Sequence, residues 1–125
     1  MTQARVRASG IRDTLMDSFD AALERDDPFE LQELILVIAL EARGRKWAEW
    51  ACGRLARHRN ANVRGNALAG FGHLARRFGK LDPTRARGPI ETGLYADNEY
   101  IREKAESAAD DVDAHLSWNL RRPPD

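Results

Sequence analysis

Residues 60–74 read NANVRGNALAGFGHL, and 38 positions later residues 98–112 read NEYIREKAESAADDV. Laid over one another, Asn60, Val63, Arg64, Ala67, Gly70 and Leu74 fall on Asn98, Ile101, Arg102, Ala105, Ala108 and Val112. Each copy opens with an Asn, whose side-chain oxygen can accept from the free N–H groups of a first helical turn. An aliphatic residue and an Arg follow. Small residues then recur three or four apart, the spacing of one helix face, where they let a neighbouring helix approach closely. A short unit repeated at a fixed period cannot bury its apolar face alone, so its copies are expected to stack.

Working outward, the pattern predicts a first helix over 11–25, with Ile11, Leu15, Phe19, Ala22 and Leu23 on one face and Asp13, Asp17, Asp20 and Glu24 on the other. Asp27-Pro28-Phe29-Glu30 reads as an N-cap, a proline at the first helical position and a Glu able to complete a capping box. The helix that follows carries Leu31, Leu34, Ile35, Ile38 and Ala42, a degenerate first copy of the repeat, and Gly44 is the expected left-handed terminator. Its additional Val37 and Leu40 predict burial on more than one side. A third helix is expected over 45–58 with Trp47, Trp50, Ala51 and Leu55 inward, and a fourth over 63–78, stopped by Gly79. Asp82-Pro83 starts a fifth, which Gly88-Pro89 should kink or split before Tyr95. The sixth spans about 99–117, and the tail from Trp118 to Asp125 is expected to fray beyond Leu120.

The cap, the aliphatic-Arg pair and the small residues of both copies resemble the second helix of a HEAT repeat. The resemblance implies an all-α fold, a short α-solenoid of three HEAT-like helix pairs. Residues 1–125 would form one domain, with 1–10 and 121–125 as flexible tails. It also implies that Arg64 and Arg102 reach cap residues of neighbouring repeats to form a ladder, hydrogen-bonded because Asn60 and Asn98 stand where the family usually has Asp.

Length and composition agree with one helical domain. The chain has 125 residues, enough for a single core, with 42% hydrophobic and 32% charged residues, which excludes an intrinsically disordered chain. The single cysteine, Cys52, has no intramolecular partner, and residues 1–10 lack a signal-peptide core, so the reducing cytoplasm is the expected location. The longest apolar run, Leu34 to Leu40, is too short for a membrane span. A net charge of zero conceals a pattern. Residues 1–42 carry 4 Lys/Arg against 9 Asp/Glu, residues 43–87 carry 12 against 2, and residues 88–125 carry 4 against 9. Two acidic ends therefore flank a basic middle.

No catalytic, cofactor or metal site is expected. The Gly70–Lys80 stretch has the wrong spacing for a phosphate loop, with Leu81 where Ser or Thr should hold magnesium. His58, His73 and His115 form no metal-binding motif, and Asp110, Asp111, Asp113 and His115 are the one cluster worth testing for a metal. Cys52 has no evident base. Trp47, Trp50 and Arg54 share a helix face, where core packing is favoured over a cation–π binding surface. The arginines at 54, 57, 59, 64, 76 and 77, with Lys80, offer nucleic-acid binding as a third reading, which the acidic ends and near-neutral pI disfavour.

The most suggestive surface lies on the sixth helix, where Glu99, Glu103, Glu106, Asp110 and Asp113 share a narrow face that Asp97 leads into. Aligned carboxylates without a relieving Lys suit a basic partner. The competing reading is a solvated end of the stack, because Glu103, Glu106, Asp110 and Asp113 correspond to Gly65, Leu68, Gly72 and Ala75, which a next repeat would cover. Residues 62–79, together with 108–118, are similar to a bacterial group of short HEAT-like proteins, some of them immunity proteins of contact-dependent growth inhibition and related polymorphic toxin systems. That resemblance implies a cytoplasmic binder of the toxin domain of a secreted or surface-delivered effector, with a general adaptor as the alternative. Asp97 through Asp113 would be its contact with a basic nuclease toxin.

Overall fold

A computed structural model describes residues 14–124, and every regular element among them is helical. In chain order these are α1 (Thr14–Arg25), α2 (Pro28–Glu41), α3 (Arg45–Leu55), α4 (Ala61–Phe78), α5 (Pro83–Leu94) and α6 (Glu99–Leu116). They form three consecutive pairs in two layers. α2, α4 and α6 pack side by side with α4 in the middle, while α3 and α5 lie against their own partners and against each other. None of the described helices is long and apolar enough to cross a membrane.

The boundaries follow the predicted caps. Asp27 and Asp82 each accept from the N–H two residues on, ahead of Pro28 and Pro83. Asn60 accepts from Asn62 and Val63, and Asn98 from Ile101. Gly79 ends α4 at a φ of 63°, and Ser117 ends α6 in the same left-handed region. Some expectations are corrected. Gly44 has a φ of −96° and begins α3 instead of terminating α2, whose last turn passes into an extended Ala42. Glu30 turns away from the capping box to the Arg25 guanidinium, a stronger charge-assisted partner. α3 is shorter than expected, and α5 runs unbroken through Pro89. The Ile11 and Asp13 of the first amphipathic pattern, and residues 1–10, lie outside the described residues.

The core is one cluster running through all three pairs, from Phe19, Leu31 and Ile35 through Leu55, Phe71 and Leu74 to Ile90, Ile101 and Val112. The small residues of the repeat are the points of closest approach. A Cβ added at Gly70 would stand 2.7 Å from Cys52 Sγ, and one at Gly72 3.1 Å from Ala108 Cα. α4 therefore needs glycines despite their cost of about 1 kcal/mol each in a helix interior.

The Arg ladder takes a different form from the one expected. Arg64 Nε donates to His58 O at 3.0 Å and Arg102 Nη1 to Ala96 O at 2.8 Å, so each Arg secures the turn before its own helix, six residues back. The polar ties between pairs come from other residues. Asn66 Nδ2 donates to Gln32 O of α2 while its Oδ1 accepts from Tyr100 Oη of α6. Arg77 donates to Ala39 O and Ala42 O, satisfying the last carbonyls of α2. Arg76 reaches Asp111 of α6 at 2.7 Å.

The segment after α6 also departs from expectation at Arg121 and Arg122. Leu120 is buried and its N–H donates to Asp113 Oδ1. Arg121 N–H donates to Glu91, Arg122 pairs with Asp110 and Asp113, and Trp118 lies under the Arg87 guanidinium. These contacts lay residues 118–122 across α5 and α6.

Candidate binding surfaces

The six carboxylates expected to form one acidic face fall into two groups. Asp110 and Asp113 are bridged by Arg122 at 3.1 and 2.9 Å, which raises the Arg122 pKa through its hydrogen bond to Asp113. Asp97, Glu99, Glu103 and Glu106 are exposed, and no cation stands within ion-pair distance of them among the described residues. The repeat register explains the location. The α4 face holding Gly65 and Gly72 is covered by Tyr100, Ala108 and Asp111 of α6, whereas no described helix covers the equivalent face of α6.

A second surface is concave. A cleft of about 850 Å³ opens between the end of α1, the outer side of α3, the α3–α4 turn and the start of α5. Its walls include Arg54, Arg57, Arg59 and Arg85 against a single carboxylate, Asp26. That carboxylate is engaged on both oxygens, by His58 Nε2 at 2.7 Å and Arg59 Nη1 at 2.8 Å, and the His58 hydrogen bond followed by that of Arg59 lowers its pKa. Arg85 stands 4.0 Å from Asp82 at the rim, and Arg54 and Arg57 have no ion-pair partner among the described residues. Trp50 lines the cleft while its ring packs edge-on against Phe19.

Of the two tryptophans, Trp47 packs against the core as expected and Trp50 departs from expectation. α3 turns Ala48, Ala51, Cys52 and Leu55 inward, the residues at helical spacing, and Trp47 and Trp50 flank that stripe, each 5.7–5.8 Å from the Phe19 ring in T-shaped contact. Such edge contacts tie α1 to α3. Trp50 remains 36% exposed, and Arg54 stacks on neither ring. Val37 and Leu40, expected to be buried, are 38% and 50% exposed and share the outer side of α2 with Phe29, which is 78% exposed.

The cysteine and the three histidines are engaged in structural contacts. Cys52 is fully buried, and burial followed by the nearby Glu49 charge pushes its thiol far up from the ordinary range. His58 Nδ1 accepts from Asn60 N–H, so its Nε2 carries the proton donated to Asp26, and neither nitrogen is left to act as a base. His73 accepts from Arg76 and its pKa is lowered, by burial and then by the Arg76 charge. His115 bonds Asp111 O. No group of three metal-ligating side chains occurs among the described residues, and the Asp110–His115 cluster is not assembled as one. Glu49, unmarked by any sequence signal, is buried. One oxygen accepts from Arg45 and from Asp82 N–H, joining α3 to the cap of α5, and the other has no hydrogen-bond partner among the described residues.

The cleft was only half visible in the sequence. Its arginines belong to the basic middle of the chain, but Asp26, Leu23 and Thr84 come from segments that periodicity does not bring together. Neither a protein-family model nor a curated protein nor a solved structure matches the chain.

Proposed function

We propose that this chain is a non-catalytic protein-binding module, and that its role is that of an immunity protein, capturing the toxin domain of a polymorphic toxin and occluding its active site. The observation that carries the reading is the acidic start of α6 and the loop before it. Asp97, Glu99, Glu103 and Glu106 stand exposed, without counter-ions, on a face that no described helix covers. A run of unpaired carboxylates on a rigid helix complements a cationic surface such as the substrate cleft of a nuclease. Asp110 and Asp113 lie outside this contact because Arg122 already pairs with both, offsetting one of their two charges. Docking would be steric and electrostatic, strong at low salt and weakened by screening.

A general adaptor is the second reading, favoured by the exposed apolar side of α2. Phe29, Val37 and Leu40 lie on the far side of α4 from α6, giving two separated surfaces on one rigid layer. Exposed apolar patches of this kind mark protein contacts.

Affinity capture from the native host, with the bound protein identified, tests both. The immunity reading expects a polypeptide whose C-terminal domain kills cells unless this chain is co-expressed. The triple variant Glu99→Lys, Glu103→Lys and Glu106→Lys should lose both capture and protection. Protection that survives the triple reversal overturns the α6 contact. Two different proteins captured at once, one released by Leu40→Glu and the other by the α6 variant, establishes the adaptor instead.

A further inference from the structure

We infer that the arginine-lined cleft between α1, α3 and α5 is a second binding site, for a short acidic segment of a protein chain. It is separate from the acidic face of α6 and does not depend on the function proposed for that face.

Charge comes first. Four arginines line the cleft, and its one carboxylate, Asp26, is saturated by His58 and Arg59. Arg54 and Arg57 therefore hold guanidinium groups toward solvent with no anion of the described chain to meet them. A forked guanidinium pairs bidentately with a carboxylate, and two of them a turn apart suit carboxylates spaced along one strand of peptide.

Shape comes second. The cleft includes Gly53, inside α3, where a Cβ would find nothing within 4 Å. Gly70 and Gly72 have packing reasons to lack a side chain, since neighbours crowd them at 2.7–2.8 Å. Gly53 has none from the described residues. Its effect is to leave the helix backbone bare within the cleft, the condition for close approach by another main chain. Trp50, held edge-on by Phe19 and partly exposed, supplies an apolar flank beside that bare backbone.

The extent of the charge selects a peptide over a nucleic acid. Outside residues 43–87 the described chain carries more acid than base, and the full sequence has a formal net charge of zero. A long phosphate backbone finds no net positive charge on such a chain to hold it. A short acidic segment ends within the cleft.

Titrating the full chain into a fluorescein-labelled decapeptide of alternating Glu and Asp with one central Phe, at low salt, tests this by anisotropy. Saturable binding is expected, weakened at least about tenfold in the double variant Arg54→Glu/Arg57→Glu. Gly53→Leu is the sharper variant, because it favours the helix while filling the cleft, and it should abolish binding with the thermal midpoint unchanged or raised. Glu103→Lys/Glu106→Lys should bind the peptide as the parent does. Absence of binding at low salt, equal binding by Gly53→Leu, tighter binding of a labelled oligonucleotide, or full competition by millimolar inorganic phosphate would each overturn the inference.

Discussion

α4 and α6 are written in the same register and end in different surroundings. Both open on an Asn cap, both use an Arg to hold the carbonyl six residues back, and both place small or aliphatic side chains toward the core. α4 has a helix of its layer on each side, and Gly65, Leu68, Gly72 and Ala75 on its second face are all buried. Among the described residues α6 has such a neighbour on one side only, and the matching positions are Glu103, Glu106, Asp110 and Asp113. The difference teaches what a repeat encodes. Caps and the first apolar face belong to the unit itself, while its second face records whether another helix packs on it.

The largest effect should come from the centre of that contrast. Phe71 is fully buried in α4, and its counterpart in α6 is Ala109. Truncating Phe71→Ala should cost about 3–5 kcal/mol in urea unfolding through the cavity it leaves. A smaller loss would mean that α4 is less central than its packing implies. Next, Gly72→Leu drives a side chain into Ala108 and Asp111 and should cost about 1–3 kcal/mol or more. Asp110→Leu, at the equivalent position, loses only the exposed pair with Arg122 and should change stability by under about 1 kcal/mol. Equal costs at the two sites would erase the distinction between covered and open faces.

The shared arginines test the similarity instead of the difference. Arg64→Ala and Arg102→Ala should each cost about 1–2 kcal/mol, since each frees a turn carbonyl from a charge-assisted bond. Because the bonds lie within separate turns, the double variant should be additive to within about 0.5 kcal/mol. A larger coupling would restore the ladder between repeats. The mildest effect is on pH. The lowered pKa of His73 means the folded chain binds its proton less readily than the unfolded one, so this contribution is full above the ordinary histidine value of 6.5 and declines as pH falls below it. Asp26, Glu30 and Asp82 are lowered by hydrogen bonds from His58, Arg25 and Thr84 respectively, and their contributions decline in the same sense as pH falls below their ordinary values of 3.8 to 4.5. Chemical denaturation across pH 3 to 8 should therefore show two descending steps. His73→Gln should remove the upper one and leave the lower.

Much of the fold was legible because its determinants are local. Asp27, Asp82, Asn60 and Asn98 cap the helices assigned to them, and Gly79 closes α4 as a left-handed residue must. Errors arose where a local rule met a competitor elsewhere in the chain. Glu30 satisfied its charge on Arg25 instead of a backbone N–H, and Arg121 and Arg122 found Glu91, Asp110 and Asp113 instead of water. The candidate surfaces were the least legible. Five acids at helical spacing, with Asp97 before them, read as one stripe, and only the path of residues 118–122 divides them.

The sequence by itself determined six helices, their caps and the 38-residue register, because a hydrogen bond to a neighbouring N–H and a 3.6-residue period need only the adjacent chain. Only the tertiary structure decided which charges are free. It seated Glu49 between Arg45 and the cap of α5, joined α2 to α4 through Arg77, neutralised Asp26 with His58 and Arg59, and left Arg54, Arg57, Glu99, Glu103 and Glu106 exposed. The reason is distance. An ion pair depends on groups a few ångströms apart, and partners such as Asp26 and His58 lie 32 positions apart in the chain until the helices pack.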